Sequence, residues 1–420
     1  MSPIIKTCFV RKYKIPKPRY HQKVKKMKAV ILAAGEGKRL RPFTESMPKV
    51  MLPVANKPIL EYVFDAVKNC GIDEIIVVVG YKKEVIMEYF KNYKDIKITY
   101  VIQDKQLGTA HALLQAKNNL NDSFIVLSGD NIIDQNSISK LINDKSDYSM
   151  LIKEHPHPSK YGVVFIEKTI LKELVEKPKV ELGKFISTGI YKLPYTVFDE
   201  IGKLCSQGIY TLSSVIQTTV EKEKSISTVL ADLWMDIVYP WDLISVNETM
   251  IHQIPSSTSG VVEKGVAIKG PVSIGKDTTI YSGCYIVGPV IIGSGCEIGP
   301  NTCIFPSTII GDNSAIRPFC EIRNTIIMED VHINSNSYLS HSIVAKGNII
   351  KNNFSSTTGE AIIETEGEFK KLKNIGTMIG EDCTIGSNVV VEPGIIIGRR
   401  CRIDSLKKIN KNIPSESNVM

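Results

Sequence analysis

Two rhythms of apolar positions divide this chain. From Lys28 to about Asn247, short apolar runs alternate with amphipathic stretches. "KAVILAAG", "EIIVVVG" and "SFIVLSGD" read as buried strands, while "PILEYVFDAVKNCG", "KEVIMEYFKNY" and "GTAHALLQAKNNL" have helical spacing. This alternation predicts an α/β domain, Rossmann-like, with a mostly parallel sheet and helices on both faces. Ligands of such sheets bind beyond the carboxyl ends of the strands. The runs ending at Gly35 and at Asp130 both finish there.

Past residue 260 the rhythm changes to one Ile or Val at every sixth position, from Val262 and Ile268 through Ile316 and Ile322. The register slips by one near Ile327, is irregular over 345–378, and returns at Ile379, Ile385, Val391, Ile397 and Ile403. Gly follows the apolar residue at 275, 293, 299, 311, 380, 386 and 398. Strict six-residue periodicity predicts a parallel β-helix, with the apolar residue inward and Gly easing the corner. Such coils are stable only as a stack. Cys284, Cys296, Cys320, Cys383 and Cys401 all stand four residues after an inward Ile, a slot elsewhere held by Thr278, Thr302, Ser314, Val290 or Val389. They read as small packing residues.

The expected organisation is a basic, disordered leader over 1–26, a first domain over 27–248, a linker over 249–260, a β-helix over 261–405 with an irregular loop at 345–378, and a polar tail over 406–420. The formal charge of +8 is concentrated in the leader, which holds nine Lys/Arg and no acid; the remainder has 43 basic against 44 acidic residues. A near-neutral body argues against specific nucleic-acid binding. No apolar run nears the ~20 residues of a membrane span. Nine scattered cysteines without a CxxC give no disulfide framework and fit a cytoplasmic protein.

The candidate chemistry opens at "AVILAAGEGKRLRPFTESMPKVMLPVANKP". A Gly-x-Gly turn between strand and helix lets backbone N–H groups approach a phosphate. Leu40 stands where GxGxxG needs its third Gly, and no Gly-Lys-Ser/Thr follows. Instead Arg39 comes at once and Lys49 ten residues later. Two fixed cations beside such a loop suit a polyanion whose charge grows as it reacts, a nucleoside triphosphate attacked at its α-phosphorus.

The whole string, Leu32-Ala33-Ala34-Gly35-x-Gly37-x-Arg39-Leu40 with Pro42, Thr44, Pro48-Lys49, Leu52-Pro53 and Lys57-Pro58, resembles the sugar-1-phosphate nucleotidylyltransferase family. Its bifunctional members join such a catalytic domain to a hexapeptide-repeat left-handed β-helix. The resemblance covers about residues 28–405. It implies that Leu32, Ala33, Ala34, Gly35, Gly37, Gln103, Gly108 and Thr109 bind the nucleotide, although Gly108-Thr109 also reads as a helix N-terminus. It further implies Arg39 and Lys49 as catalytic cations and Asp130 ("LSGDN") with Asp236 ("WMDIVYPWDL") as Mg²⁺ carboxylates. Gly162, Glu176, Lys177, Ser187, Thr188 and Gly189 are implied at the sugar phosphate. UTP or dTTP, a sugar 1-phosphate of the glucose or N-acetylglucosamine class, and a homotrimer built through the β-helix complete the expectation. The sequence departs from the family at Lys38, Val238 and Ser187. In the β-helix, "INSNSYLSHS" places Ser335 and His341 where bifunctional relatives carry the acetyltransferase His and an Asp. Ser cannot titrate as a general base, so acetyl-CoA use is not expected; His332 and His341 are the residues that would deputise. Two other readings stand beside the enzyme: a non-catalytic nucleotidyltransferase-like scaffold, and a bifunctional enzyme that keeps aminosugar-1-phosphate acetyltransferase activity.

Overall fold

The computed structural model describes residues 27–420 apart from Asp95 and Glu366. The basic leader expected over 1–26 lies outside the described residues. Apart from a two-residue ribbon of Pro53–Val54 with Lys57–Pro58, the strands of the first half are β1 (Lys28–Ala33), β2 (Glu74–Val79), β3 (Lys97–Ile102), β4 (Phe124–Ser128), β5 (Asn131–Ile133), β6 (Tyr148–Glu154), β7 (Gly162–Glu167), β8 (Ile170–Glu176), β9 (Phe185–Leu193), β10 (Ile226–Leu230) and β11 (Trp234–Asp236). Nine of them form one sheet in the order β3-β2-β1-β4-β9-β6-β10-β8-β7, and β5 pairs with β11 in a separate antiparallel ribbon. Helices α1 (Ile59–Asn69), α2 (Lys83–Tyr89), α3 (Thr109–Gln115), α4 (Gln135–Asn143), α5 (Val197–Ser206), α6 (Leu212–Glu221) and α7 (Asp242–Met250) accompany the sheet.

The sheet is parallel from β3 to β4, as the alternating pattern predicts, and mixed beyond, where β9 runs antiparallel to β4 and β6, and β8 antiparallel to β7. Over 148–230 the sheet is therefore mixed, with β6 and β10 still parallel to each other. The reason is local. Only Lys168 and Thr169 separate β7 from β8, with Lys168 at φ +57°, and so short a connection joins antiparallel strands only. Helix α1 shows the physics of the layer. Ile59, Leu60, Val63, Phe64, Ala66 and Val67 recur at helical spacing and are buried against the sheet.

The second half winds three parallel sheets of eight, nine and eight strands, the left-handed β-helix expected from the repeat. Register pairs Ile274 with Ile292 and Ile292 with Ile310, so one coil takes eighteen residues. Ile310 pairs with Ile327 and Ile327 with Val344, seventeen residues apart, which is the slip seen in the sequence. The repeat glycines act differently from expectation. At Gly275, Gly293, Gly299, Gly311, Gly380, Gly386 and Gly398 a Cβ would come within 2.3–2.8 Å of an atom of the next coil. None of them has positive φ; at the corners that role falls to Asp277, Asn301, Asn313, Asp330 and their equivalents. Gly is needed for coil-to-coil approach, and the small polar residues make the turn.

Three expected boundaries move. The helical segment of α7 and a following short turn run to Gln253, and pairing with the β-helix starts at Ser257–Thr258, so little of 249–260 is linker. The region 345–378 is not one irregular loop. Its coil continues through Ile349–Ile350 and Ser355–Ser356, and one antiparallel hairpin, Gly359–Thr365 with Glu368–Ile375, is inserted at the corner. The tail is not free either: Lys408–Ile409 and Asn418–Val419 add strands to two sheets, with Ile409 buried. The polar spacing after residue 406 hid these coils, because exposed corners outnumber inward positions there.

The repeat cysteines pack as expected and also bond. Cys284 donates to the Gly299 carbonyl (2.9 Å), Cys296 to Gly311 (3.2 Å) and Cys383 to Gly398 (3.0 Å), as Thr278 donates to Gly293 (2.6 Å). The slot takes small side chains, and where they are Cys or Thr they also reach a carbonyl of the next coil, while Val290 and Val389 fill it by packing alone.

One face of the β-helix lies on the first half. Ile291, Ile309, Ile326 and Ile343 are buried within the same apolar cluster as Leu60, Phe64 and Val63. Asn247, wholly buried on α7, accepts from the Ala55 N–H (3.0 Å) and donates to the Ser307 carbonyl (2.9 Å). A buried amide with both ends satisfied fixes the register of that interface.

Candidate functional site

The carboxyl ends of β1, β4 and β11 meet at one place. After Ala33 the chain turns through Gly35 and Gly37 into the short turn Lys38–Leu40, passes the turn Phe43–Glu45, and enters the turn Lys49–Met51. Gly37 has φ +80°, and a Cβ there would lie 2.6 Å from Lys49 Cβ. A Cβ at Gly35 would meet nothing within 4 Å. The first Gly leaves open space and the second admits the lysine.

Lys49 Nζ lies 2.6 Å from Asp130 Oδ2 and 3.3 Å from Asp236 Oδ1. Pairing of Asp236 with Asn131 across β11 and β5 brings the two acids together. Ser128 donates to Asp130 (2.5 Å); Asn131 (3.0 Å) and the Ile237 N–H (2.8 Å) donate to Asp236. Burial works against the Lys49 ammonium, but the two carboxylates outweigh it and hold its pKa above the ordinary lysine value. Burial likewise pushes Asp130 upward, yet the short Lys49 contact brings its carboxyl below the usual range. At Asp236 burial wins, assisted by repulsion from Asp130, and the carboxyl is raised. The asymmetry follows the two distances.

A cavity of about 300 Å³ is lined by Leu32, Ala33, Ala34, Gly35, Gly37, Lys49, Gln103, Gly108, Thr109 and Asp130, together with Val50, Gln106, Ala112 and Ser128. Every residue expected at the nucleotide is in this wall. A second hollow, lined by Gly37, Lys38, Arg39, Leu40, Lys49, Asp130, Asp236 and Val238, shares Gly37, Lys49 and Asp130 with it. Arg39 is exposed here beside the Gly turn. Buried Gln103 donates to the Gly108 carbonyl (3.2 Å) and contacts His111 Nδ1 (2.9 Å). Thr109 accepts from the Leu212 N–H (2.9 Å), so its hydroxyl serves the packing of α3 on α6.

The residues expected at a sugar phosphate form a second group. Register places Glu176 opposite Gly162, and β9 next to β7. A Cβ on Gly162 would lie 3.3 Å from Glu176 Oε2 and 3.7 Å from Ser187 Cβ, so Gly162, Glu176 and Ser187 converge. Lys177, exposed and at φ +42°, follows directly, its N–H on the Tyr161 carbonyl. Thr188 is turned away: its hydroxyl donates to the Leu151 carbonyl (2.8 Å) in the core. Gly189, at φ +75°, allows the irregularity in β9 between Ser187 and Tyr191. Tyr161 connects the groups, its ring 5.7 Å from Trp234 on β11 and its phenol pKa raised by burial and then by the charge of Asp236.

Sequence reasoning missed Ser128, Asn131, Gln106 and Tyr161. Ser128 and Asn131 flank Asp130 in the "LSGDN" string, so that signal was present. For Tyr161 and Gln106 only the fold reveals the placement. Among the described residues no group of three or more His, Cys, Asp or Glu is arranged to hold a metal. Asp130 and Asp236 offer a pair, with an ammonium already seated between them.

Comparison with known proteins places the chain in a family. The Nucleotidyl transferase family matches residues 28–253, the GMPPB C-terminal domain 286–371, and the bacterial transferase hexapeptide (six repeats) 376–409. A Methanococcus maripaludis protein called bifunctional protein GlmU is 40% identical over 405 residues, spanning 94% of this chain and 97% of that one. A Sulfurisphaera tokodaii protein, called bifunctional sugar-1-phosphate nucleotidylyltransferase/acetyltransferase, is 34% identical over 402 residues, 92% and 98% of the two chains. A solved Bacillus anthracis structure, described as a glucose-1-phosphate thymidylyltransferase in complex with a sucrose, superposes on 55% of this chain and 98% of its own, with TM-score 0.51 and 26% identity. The chain therefore belongs to the sugar-1-phosphate nucleotidylyltransferase family, in the group whose nucleotidyl transferase domain is followed by hexapeptide repeats.

Proposed function

We propose that this enzyme transfers a nucleotidyl group from UTP or dTTP to a sugar 1-phosphate of the glucose or N-acetylglucosamine class, releasing pyrophosphate in an Mg²⁺-dependent reaction. The observation that carries the reading is Lys49, held between Asp130 and Asp236 at the open Gly35–Gly37 turn. The seated ammonium supports reading this pair of carboxylates as a cation site. Asp130 and Asp236 are the residues to hold Mg²⁺, which supplies charge neutralisation for phosphate oxygens when bound.

The attacking sugar phosphate is already an oxyanion, so no strong general base is needed. Alignment and charge neutralisation by the chain remain. Backbone N–H groups of the Gly turn face the phosphates, and Lys49 is assigned to the α-phosphate. Arg39, at the rim of the second hollow, is assigned to the departing β- and γ-phosphates. Gln103, Gly108 and Thr109 line the base end of the cavity. Glu176 and Ser187 face the sugar hydroxyls, Lys177 steers its phosphate, and Thr188 contributes through its backbone. A trimer formed through the β-helix and a cytoplasmic location belong to the same reading. No helix among the described residues is long and apolar enough to cross a membrane.

The test is pyrophosphate release with Mg²⁺, UTP or dTTP, and a panel of sugar 1-phosphates. Lys49→Ala and Arg39→Ala each lower the rate by about 10²–10³, as for loss of one charge-stabilising donor. Absence of release in every combination, or wild-type turnover in both variants, refutes the assignment. The relatives' names favour a second reading, an acetyltransferase in the β-helix. His332 is exposed on one of its sheets, whereas His341 faces α7. Thiol release from acetyl-CoA with glucosamine 1-phosphate decides it.

A further inference from the structure

The loop that carries Arg39 and Lys49 is held by the far end of the chain. Its central turn contains none of the residues assigned to chemistry, yet Glu45 receives three contacts from the last coils of the β-helix. Arg399 Nε lies 2.9 Å from Glu45 Oε2, and Ser415 Oγ donates to both carboxylate oxygens, at 3.1 and 3.3 Å. The neighbouring Ser46 hydroxyl donates to Glu381, itself buried in an earlier coil. From the other side, the Tyr81 hydroxyl donates to the carbonyls of Thr44 (2.9 Å) and Glu45 (3.1 Å). Arg399 Nε is buried without a well-aligned hydrogen bond, so its pairing with Glu45 is one of charge.

The segment after Asp236 is touched by the same half. Lys370 of the inserted hairpin lies over the Tyr239 ring (5.8 Å), and Tyr239 stacks on Trp241 (4.8 Å between centroids). Ile363 of the hairpin and Ile396 share a hollow with Lys38, Arg39 and Trp241. Ordinary domain packing puts salt bridges anywhere along an interface. Here the salt bridge falls on Glu45 and a hydroxyl contact on Ser46, between the two cations of the site.

We propose that the last coils of the β-helix set the position of the phosphate-gripping loop, with Arg399 and Ser415 acting through Glu45 as positioning residues for nucleotidyl transfer. The inference rests on the proposed roles of Arg39 and Lys49. Misplacing such a loop by a fraction of an ångström affects the triphosphate first, since that is what the loop touches. It leaves the Gly162–Glu176 group where it is.

The experiment uses the full chain with Arg399→Ala, Arg399→Lys, Ser415→Ala and the exchange Glu45→Arg with Arg399→Glu. Arg399→Ala raises KM for the nucleoside triphosphate about tenfold, by analogy with loss of one charged contact, and leaves KM for the sugar 1-phosphate within twofold. Arg399→Lys keeps most of the wild-type value, Ser415→Ala moves KM in the same direction by less, and the charge exchange recovers part of what either single change loses. Amide hydrogen exchange is the second readout: residues 38–51 exchange faster in Arg399→Ala while β1 and β4 keep their protection. Unchanged exchange over 38–51 overturns the proposal, as does a loss of kcat that tracks a lowered melting temperature with both KM values unmoved. Should the wild type release no pyrophosphate at all, the reading of the function falls, and hydrogen exchange still decides the grip.

Discussion

Replacing Lys49 by Met takes the ammonium out from between Asp130 and Asp236. The two carboxylates then share a largely enclosed space, with side-chain exposures of 30% and 15%, and no cation at 2.6 and 3.3 Å. Removing one partner from a buried ion pair costs about 3–5 kcal/mol. Part of that is recovered by protonating Asp236, which burial already favours. In the wild type, a divalent ion must displace the ammonium before it can use both acids. If Lys49 holds the site by about 3 kcal/mol, the apparent metal affinity of the nucleotide-free protein is reduced by about 10². The variant is therefore expected to bind Mn²⁺ more tightly than wild type by up to about 10²-fold while losing nucleotidyl transfer. Isothermal titration with Mn²⁺ in the absence of nucleotide measures the affinity. Melting with and without Mg²⁺, at a concentration set by its own titration, gives an independent reading, because a ligand that binds only the folded state at about 100-fold its Kd adds about 2.7 kcal/mol. Equal or weaker Mn²⁺ binding in Lys49→Met would show that the acids are not a cation site, and the assignment of Asp130 and Asp236 would go with it.

The β-helix was legible over 262–344 and 379–403, because its signal there is a repeat: one inward Ile every six positions leaves little freedom in how coils stack. The signature loop was legible because Gly35, Gly37, Arg39 and Lys49 are close in sequence and their chemistry is local. What stayed hidden depends on contacts between distant segments. Nothing in "FTES" announces that Glu45 and Ser46 meet residues 381, 399 and 415, and nothing near Asn247 tells that its amide spans Ala55 and Ser307. Thr188 matched a motif, but only the packing of β9 on β6 shows its hydroxyl spent on the Leu151 carbonyl. The polar coils after residue 406 failed for a different reason. Their inward positions, Ile409 and Ile413, are few, and the rest of the pattern is that of any exposed tail.

Gly37→Ala tests the turn: at φ +80° with Lys49 Cβ 2.6 Å from the new methyl, the change pushes the lysine aside and is expected to lower kcat/KM for the nucleoside triphosphate by about 10², with an unaltered circular dichroism spectrum. A fully active Gly37→Ala protein would mean that Lys49 needs no close approach to the turn. The last prediction concerns pH. His341, half-buried in the hollow between α7 and the β-helix, has Ser340, Asn324 and Ser245 near it, with Glu248 on α7 and Lys373 on the hairpin as the charged groups of that wall. Burial lowers its pKa, and the charge of Glu248 opposes this only in part. A histidine whose folded pKa is lowered binds its proton more readily when unfolded. Its contribution is therefore complete above the unfolded value of ~6.5 and is lost as pH falls below it. The melting temperature of the wild type should drop between pH 7 and 5.5, and His341→Gln should flatten that limb. Carboxylates such as Asp130, whose folded pKa is lowered, lose their contribution only at lower pH, below the unfolded ~3.9, so the two limbs separate on the pH axis. An identical slope in wild type and His341→Gln between pH 7 and 5.5 would place the acid sensitivity elsewhere than at the junction of the two halves.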